Sequence, residues 1–505
     1  MCHANPELGA GRSCRPACTW LGLATVRGTS GVAARARASA TAGSGRLALE
    51  LMRAFSVPIV VQEEGRDNAL AQGVLHLWGI CMPVGISCGP PWPVRTEWCS
   101  LPDASTMTAA SLREIAETEA VVIGAGSVGT SIAYALANRG ADVILLDRAA
   151  SVCAETSAAN AGLIWVQTKV PAYYTRFSLL SSNLYPDLVR ALDDDVEYDR
   201  PGGLRLALTE PDWEEAIHLA EQQRQVAGLS IEILDGDAVR RLEPAVGPDV
   251  VGGIHCRQDG HINPILYVHA LARGARRKGA RIVLRTAVTG IVRRPDGAVA
   301  GVVTPEGVIR TRAVVNAAGV LAPVVAAMVG FRLPIIPCRG QVVVTEALPP
   351  TLTRPLANMQ QTARSGVFLC GETGDFAGLD KSTDLASMRS VARRAIRLIP
   401  TLARSQVLRV FAGLRPWPPD GVPFLGPVST IPGFYVAVGH SGITLSPLYG
   451  KVLSELIVDG RTDVPIEPYD PCRFDGRDEV VFIREHYRRD VSLKDPSWPT
   501  ALLSA

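Results

Sequence analysis

The sequence predicts a mixed fold: an α/β unit built on a parallel sheet, with a discontinuous antiparallel β portion set into it. Three observations predict it. A short apolar run, Ala120–Ile123, leads into a glycine-rich turn and an amphipathic helix, and a second apolar run follows at Val143–Leu146; strands alternating with helices argue for parallel pairing. Between 199 and 253, and again from 333 to 370, short alternating segments replace that rhythm, as antiparallel strands with one wet face do. The chain has 505 residues, 47% apolar and 20% charged, enough for more than one core and too apolar to stay unfolded.

Charge and composition exclude several classes. Lys+Arg 51 against Asp+Glu 49 leaves +2, so no net field calls for nucleic acid or an anionic membrane. The 47 Gly and 36 Pro follow no fibrous period. Residues 1–106 hold six of the 11 Cys and no sustained period; they read as an N-terminal extension that does not fold, with Met107 as a native start. Six Arg and no acid between Glu7 and Glu50 superficially resemble an organelle transit peptide, whereas no compact apolar core follows a basic start as in a secretory signal. Ala69–Gly89 is apolar, but Gly, Pro and His interrupt it within the ~20 residues a spanning helix needs, so no transmembrane span is expected. The early Cys form no CxxC pair and His3 and His76 lack zinc-like spacing to them, so no metal is expected. Cys153, Cys256, Cys338, Cys370 and Cys472 are isolated and odd in number, which fits reduced thiols in a cytoplasm.

The first element group has the parts of a Rossmann-type dinucleotide cradle. After Ala120–Ile123 comes Gly124-Ala-Gly126-Ser-Val-Gly129, then a helix with Val128, Ile132 and Leu136 on one face and Gly140 at its end. Gly124 permits the tight turn, Gly126 lets the backbone approach a pyrophosphate, and Gly129 lets helix pack on strand. The helix N-terminus offers unpaired N–H groups to phosphate. The second strand ends in Asp147, 23 residues after Gly124, placed to accept the hydroxyls of an adenosine ribose. This unit alone does not separate NAD from FAD.

Later segments narrow the choice. Glu155-Thr-Ser-Ala-Ala-Asn-Ala-Gly162, Asp259-Gly-His-Ile-Asn-Pro264, Ala313-Val-Val-Asn-Ala-Ala-Gly319, Phe411-Ala-Gly-Leu-Arg-Pro416 and Val438-Gly-His-Ser-Gly-Ile-Thr444 occur in this order. Together with the first cradle they resemble the D-amino-acid oxidase superfamily of FAD enzymes over 118–475, with a glycine oxidase-like two-domain architecture. Phe177–Leu188, Glu243–Val246 and Arg339–Glu346 are most similar to the hydrogen cyanide synthase, opine oxidase and hydroxyproline dehydrogenase beta-type subunits. The Glu155–Gly162 run also resembles the second flavin-contact segment of bacterial D-amino acid dehydrogenases.

The resemblance implies FAD, held without a covalent link, because no Cys follows Arg415-Pro416. It assigns cofactor contacts to Gly124, Gly126, Ser127, Val128, Gly129, Asp147 and Arg148, to Ser157, Asn160, Ala161, Gly162 and Leu163, to Ala318 and Gly319, and to Gly439, Gly442, Ile443 and Thr444. Arg415 and His440 are the expected catalytic pair. Arg415 is the carboxylate anchor, because a guanidinium offers two parallel N–H bonds to a planar oxyanion. Gln361 and Thr362 are expected, with Arg415, to line the substrate pocket. Where glycine oxidases have a substrate-contacting Tyr, this chain has Ala357-Asn-Met-Gln-Gln-Thr362, pointing to a larger or cyclic amino acid. The implied reaction is hydride transfer from a carbon bearing nitrogen; a partner protein in a hetero-oligomer, a non-catalytic flavin-binding role and an NAD-dependent dehydrogenase are the alternatives.

The expected division is an FAD-binding domain over 118–200, 254–332 and 405–470, a cap over 201–253 and 333–404, and a tail over 471–505. The last helix is expected to start with Ser446 as N-cap and Pro447 at its first position. A quinone acceptor would bring the protein to the periphery of the inner membrane.

Overall fold

A computed structural model describes residues 113–371, 373–477 and 480–482 in full, and the backbone alone of 22–27, 33–38 and 491–493. The start at Met107, the remainder of the 1–106 extension and most of 478–505 lie outside the described residues. In the unit Met1–Thr96, Gly22–Arg27 pairs antiparallel with Ala33–Ala38.

In the unit Glu97–Ala505, a six-stranded sheet takes the order Arg281–Val283, Val143–Leu146, Ala120–Ile123, Ala313–Asn316, Phe434–Val438, Phe424–Pro427. Every pairing is parallel except the last. The inner strands Val143–Leu146, Ala120–Ile123 and Ala313–Asn316 are buried at every residue because both faces are covered. Ala120, Val122, Val143 and Leu145 pack on one side with the helices Ser127–Asn138, Pro264–Arg277 and Gly442–Val458. Val121, Ile123, Ile144 and Leu146 pack on the other with Ile291, Val302 and Ile309 of a small four-stranded sheet. Asn263 caps the 264–277 helix, its side chain accepting from Ile265 and Leu266 N–H, with Pro264 at the first helical position as expected.

The antiparallel portion comes from two stretches of chain. Gly252–Cys256 lies between Gly203–Ala207 and Ile231–Asp235; Ile336–Ala347 lies between Val367–Cys370 and Val407–Trp417. The two groups meet where Leu204 bridges Leu356. Leu204, Leu206, Val343, Phe368, Val391 and Leu398 form their shared core, and the helix Leu385–Leu398 closes it.

Three boundaries differ from expectation. Residues 407–417 belong to the antiparallel sheet, in register from Ile336↔Trp417 to Thr345↔Val407, so the return to the parallel sheet comes after Trp417. The strand partner decides this, and partner choice leaves no local mark in Val407–Trp417. Where the expected 471–505 tail is described it packs on the fold: Val480 and Phe482 are buried with Ile336, Cys338 and Trp417. The last helix runs Gly442–Val458 with Ser441, not Ser446, as N-cap and Pro447 inside. An internal proline withholds the N–H that its i−4 carbonyl needs. The Ile443 carbonyl accepts instead from Tyr185 Oη–H and from Ser446 Oγ–H, the latter at 3.1 Å.

Among the described residues, no helix is long and apolar enough to cross a membrane.

Candidate functional site

A single cavity of about 960 Å³ runs from the glycine-rich turn to the antiparallel sheet. Its first end is made by the turn. Gly124 has φ +107°, and a Cβ there would lie 2.5 Å from the Ala317 carbonyl oxygen. At Gly129 a Cβ would overlap the Gly124 carbonyl, 3.0 Å from its carbon, so the helix approaches the turn this closely only because residue 129 is glycine. Gly124, Gly126, Ser127 and Val128 line the cavity; Gly129 lies behind them and sets the packing. Asp147 and Arg148 also line it. The Asp147 carboxylate accepts from Ala125 N at 2.6 Å and Ala149 N at 2.7 Å, so it braces the turn and stands on the cavity wall.

Two further walls cross this end. Ser157, Asn160, Ala161 and Leu163 line the cavity together with Glu155 and Trp165. Ser157 Oγ accepts from Ser127 N at 3.0 Å, while Asn160 Oδ1 accepts from Gly162 N at 2.7 Å and shapes its own turn. Gly162, at φ +80°, is not on the wall: a Cβ there would overlap the Ile262 carbonyl. Ala318 and Gly319 form the opposite side.

The third wall is the entry to the 442–458 helix. Gly439, His440, Ser441, Gly442, Ile443 and Thr444 all line the cavity. Ser441 holds φ +65°, a left-handed conformation uncommon outside glycine. Its hydroxyl accepts from Lys169 Nζ at 2.7 Å and lies 2.6 Å from His440 Nδ1. The His440 ring stacks on Trp417, centroids 4.9 Å apart at 18°. Thr444 Oγ1 accepts from Trp165 N at 3.0 Å.

Arg415 stands at the far end. In the described residues its guanidinium donates one hydrogen bond, Nη1 to the Thr373 carbonyl at 3.0 Å, and forms no ion pair. A guanidinium has five N–H donors, and Arg415 lines the same cavity as Lys169. Gln361 and Thr362 are not on that wall, which corrects their expected place in the substrate pocket. Gln361 Oε1 accepts from Thr351 N at 2.7 Å, and its Nε2 donates to the Leu348, Pro349 and Gly366 carbonyls, bracing a loop. Thr362 bonds Ser365. Their neighbours Ala357 and Asn358 line the cavity instead.

Several site residues escaped the sequence reading. Lys169 is 6% exposed and is one of only five Lys among 51 basic residues, a signal that could have singled it out. Asp259 is fully buried. It accepts from Val166 N at 2.5 Å and from Gln167 Nε2 at 2.6 Å, holding the 165–169 turn against the cavity; burial pushes its carboxyl up to about 6. Trp417 carries no motif signal. Among the described residues no cluster of His, Cys, Asp and Glu could hold a metal.

The donor set fits FAD. The 127–138 helix starts at Gly126, which has no side chain to cap it; Ser157 Oγ takes the Ser127 N–H, and the rest of this helix N-terminus stands at the cavity, where phosphate binding requires it. From there the cavity continues past Asp147, the 155–163 wall and the 439–444 wall.

Comparison with known proteins gives the family. Residues 119–456 match the DAO family, described as FAD dependent oxidoreductase. An opine oxidase subunit from Rhizobium meliloti is 30% identical over 375 residues, 72% of this chain and 99% of that protein. The hydrogen cyanide synthase subunit HcnC of Pseudomonas aeruginosa is 31% identical over 324 residues, 62% of this chain and 77% of that protein. The crystal structure of glycine oxidase from Geobacillus kaustophilus superposes with a TM-score of 0.67 at 25% identity, covering 71% of this chain and 99% of that one. This chain belongs to the DAO family of FAD-dependent oxidoreductases, and it is an enzyme of the amino-acid oxidase and dehydrogenase type that acts on CH–NH donors.

Proposed function

We propose that this enzyme oxidises an amino or imino acid with a free carboxylate, D-configured, N-substituted or cyclic, to an imine that hydrolyses to a 2-oxo acid or stays cyclic. The observation that carries the reading is Arg415, a guanidinium on the cavity wall with one carbonyl partner and no ion pair among the described residues. Opine oxidase and glycine oxidase, by their names, act on opines and on glycine, which supports the amino-acid class and leaves the member open.

When bound, FAD, held here without a covalent bond, supplies the hydride acceptor. The chain's own residues do the rest. Arg415 grips the carboxylate with two parallel N–H bonds, which fixes orientation as well as charge. His440, stacked on Trp417 and held by Ser441, bounds the place where the substrate nitrogen lies. A neutral amine lone pair then expels hydride from the adjacent carbon, so the site needs no strong base. Trp165 and Trp417 wall off water beside the reacting carbon. Gly442, Ile443 and Thr444 begin a helix whose positive end favours negative charge on the reduced cofactor.

Two of the compared relatives are named as subunits, which supports a partner protein that completes a hetero-oligomer. The test is anaerobic mixing with a panel of D-, N-methyl, N-carboxyalkyl and cyclic amino acids, with 2-hydroxy acids as controls. Bleaching of the flavin by one of the amines is the expected result. Reduction by a 2-hydroxy acid alone, or by none of the amines in the presence of co-expressed partner, contradicts the reading. Acid precipitation should release the yellow cofactor; colour left in the pellet contradicts non-covalent binding.

A further inference from the structure

The Arg339-Gly340-Gln341 segment has no task in the reaction just proposed, yet it sits under Arg415. Alternate residues of a strand face the same side. In Ile336–Ala347, Cys338, Gly340 and Val342 line the cavity, while Arg339 and Gln341 do not. Arg415 is the register partner of Cys338, and Gly340 is partner to Gly413. The Arg415 side chain therefore reaches Thr373 by crossing its neighbour strand diagonally, over Gly340. It lies against that residue: a Cβ at 340 would overlap the guanidinium, 2.5 Å from Cζ. Any side chain at 340 would occupy the place where the guanidinium now rests.

Beyond Gly340 the chain at 373–375 continues beside the strand. Asp375 bridges Arg339 through both backbone groups, and Thr373 Oγ1 accepts from Gln341 N at 2.6 Å. On the other face, the Arg339 guanidinium grips Asp375 through Nε at 3.1 Å and Nη2 at 2.6 Å. Its Nη1 reaches Asp380 at 2.6 Å and the carbonyl and hydroxyl of Ser382, both at 3.0 Å. The Arg339 side chain is 10% exposed. A buried guanidinium with its donors matched holds its partners in one geometry. The nearest of these partners, Asp375, follows two residues after Thr373, whose carbonyl accepts from Arg415.

We propose that Gly340 and Arg339 are positioning residues for Arg415: Gly340 leaves the strand bare so that the guanidinium crosses it, and Arg339 fixes the neighbouring chain so that the Thr373 carbonyl sets the guanidinium plane. One edge of the fork is committed to Thr373, and the remaining donors present a fixed plane to a carboxylate. Discrimination between a carboxylate and its neutral amide then depends on residues that touch neither. This inference rests on the reading of Arg415 as the carboxylate anchor.

The test is a substitution cycle on the full-length, FAD-loaded protein. Glycine, N-methylglycine, L-proline and D-alanine are each compared with their carboxamides by anaerobic flavin reduction, and benzoate with benzamide by calorimetry. Gly340→Ala should reduce the carboxylate preference on the order of 10²-fold, the scale of a displacement near 1 Å, with FAD content unchanged. Arg339→Lys and Asp375→Asn, the latter at a half-exposed position, should lower it by smaller factors. In an Arg415→Ala background none of the three should change the preference further. A wild-type preference in all three single variants, with the preference lost in Arg415→Ala, overturns the positioning role and keeps the anchor. A preference that survives Arg415→Ala removes the anchor itself. Further loss on top of Arg415→Ala assigns Arg339 and Gly340 to general stability and overturns the proposal. If Gly340→Ala fails to hold FAD, Arg339→Lys and Asp375→Asn decide the question alone.

Discussion

The Tyr185 hydroxyl donates to the Ile443 carbonyl, the acceptor that Pro447 leaves without its helical donor. Tyr185 is fully buried and its phenol is held well above its ordinary pKa by that burial, so it stays a donor at any working pH. The pairing ties the 172–192 helix to the first turn of the 442–458 helix, which forms one cavity wall. Tyr185→Phe should cost about 1–2 kcal/mol, the range for removing one partner of a buried carbonyl that keeps a second donor in Ser446. Chemical denaturation of the two proteins checks it. Equal midpoints and slopes would show that the carbonyl does not need the phenol.

Asp259 predicts a pH dependence with a defined sign. Burial raises its carboxyl from 3.8 to about 6 in the fold, with hydrogen bonds from Val166 and Gln167 opposing. A raised folded value means that the neutral acid is favoured there. Its contribution to stability is full below the unfolded value and is lost as pH rises through about 6. The stability difference between wild type and Asp259→Asn should therefore shift against wild type by on the order of 3 kcal/mol between about pH 4 and pH 7. Denaturation midpoints across that range measure it. A difference that stays flat would mean that the carboxyl titrates in the ordinary range.

Two glycines of the cofactor cradle should respond differently to a methyl group. A Cβ at Gly129 meets the Gly124 carbonyl, whereas Gly140, at φ +85° where the cradle helix ends and away from the cavity, has no atom within 4 Å of that position. Gly129→Ala must push helix from strand, while Gly140→Ala asks only for a left-handed residue, costing about 1–2 kcal/mol. Gly129→Ala should purify with little FAD, and Gly140→Ala should retain most of it. The ratio of flavin to protein absorbance separates the outcomes. Equal retention would mean that the cradle is more compliant than the packing implies.

The cradle was legible because its parts are local. Ala120–Ile123, the turn at 124–129 and Asp147 lie within one short stretch, and each glycine has a steric task that the sequence pattern announces. The order of the later segments was legible for the same reason. What escaped depended on pairing across long separations. Nothing near Gly340 reveals that Arg415 will rest on it, 75 positions later. Gln361 and Thr362 meet a similar limit: the loop contacts of Gln361 lie ten to thirteen positions earlier in the chain, at Leu348, Pro349 and Thr351, while Ala357 and Asn358, just before the strand Met359–Gln361, line the cavity. The start of the last helix was read from Pro447, whose preference for a first turn is general. Tyr185, far away in sequence, removes the reason for that preference by satisfying Ile443.

The account depends most on Arg415 holding a carboxylate. Arg415→Ala removes a guanidinium whose one hydrogen bond among the described residues goes to a backbone carbonyl and which rests over Gly340, so the fold and the bound FAD should survive. Charged hydrogen bonds of this kind contribute about 1.5–3 kcal/mol, or roughly 10–100-fold, before misorientation adds its own loss. Arg415→Lys keeps the charge but gives up the planar fork, and should fall between. The deciding measurement is the rate of anaerobic flavin reduction by an amino acid against its carboxamide, in wild type and in Arg415→Ala. The account predicts that wild type strongly prefers the carboxylate and that Arg415→Ala barely distinguishes the two. A variant that binds FAD and keeps the wild-type preference would contradict it.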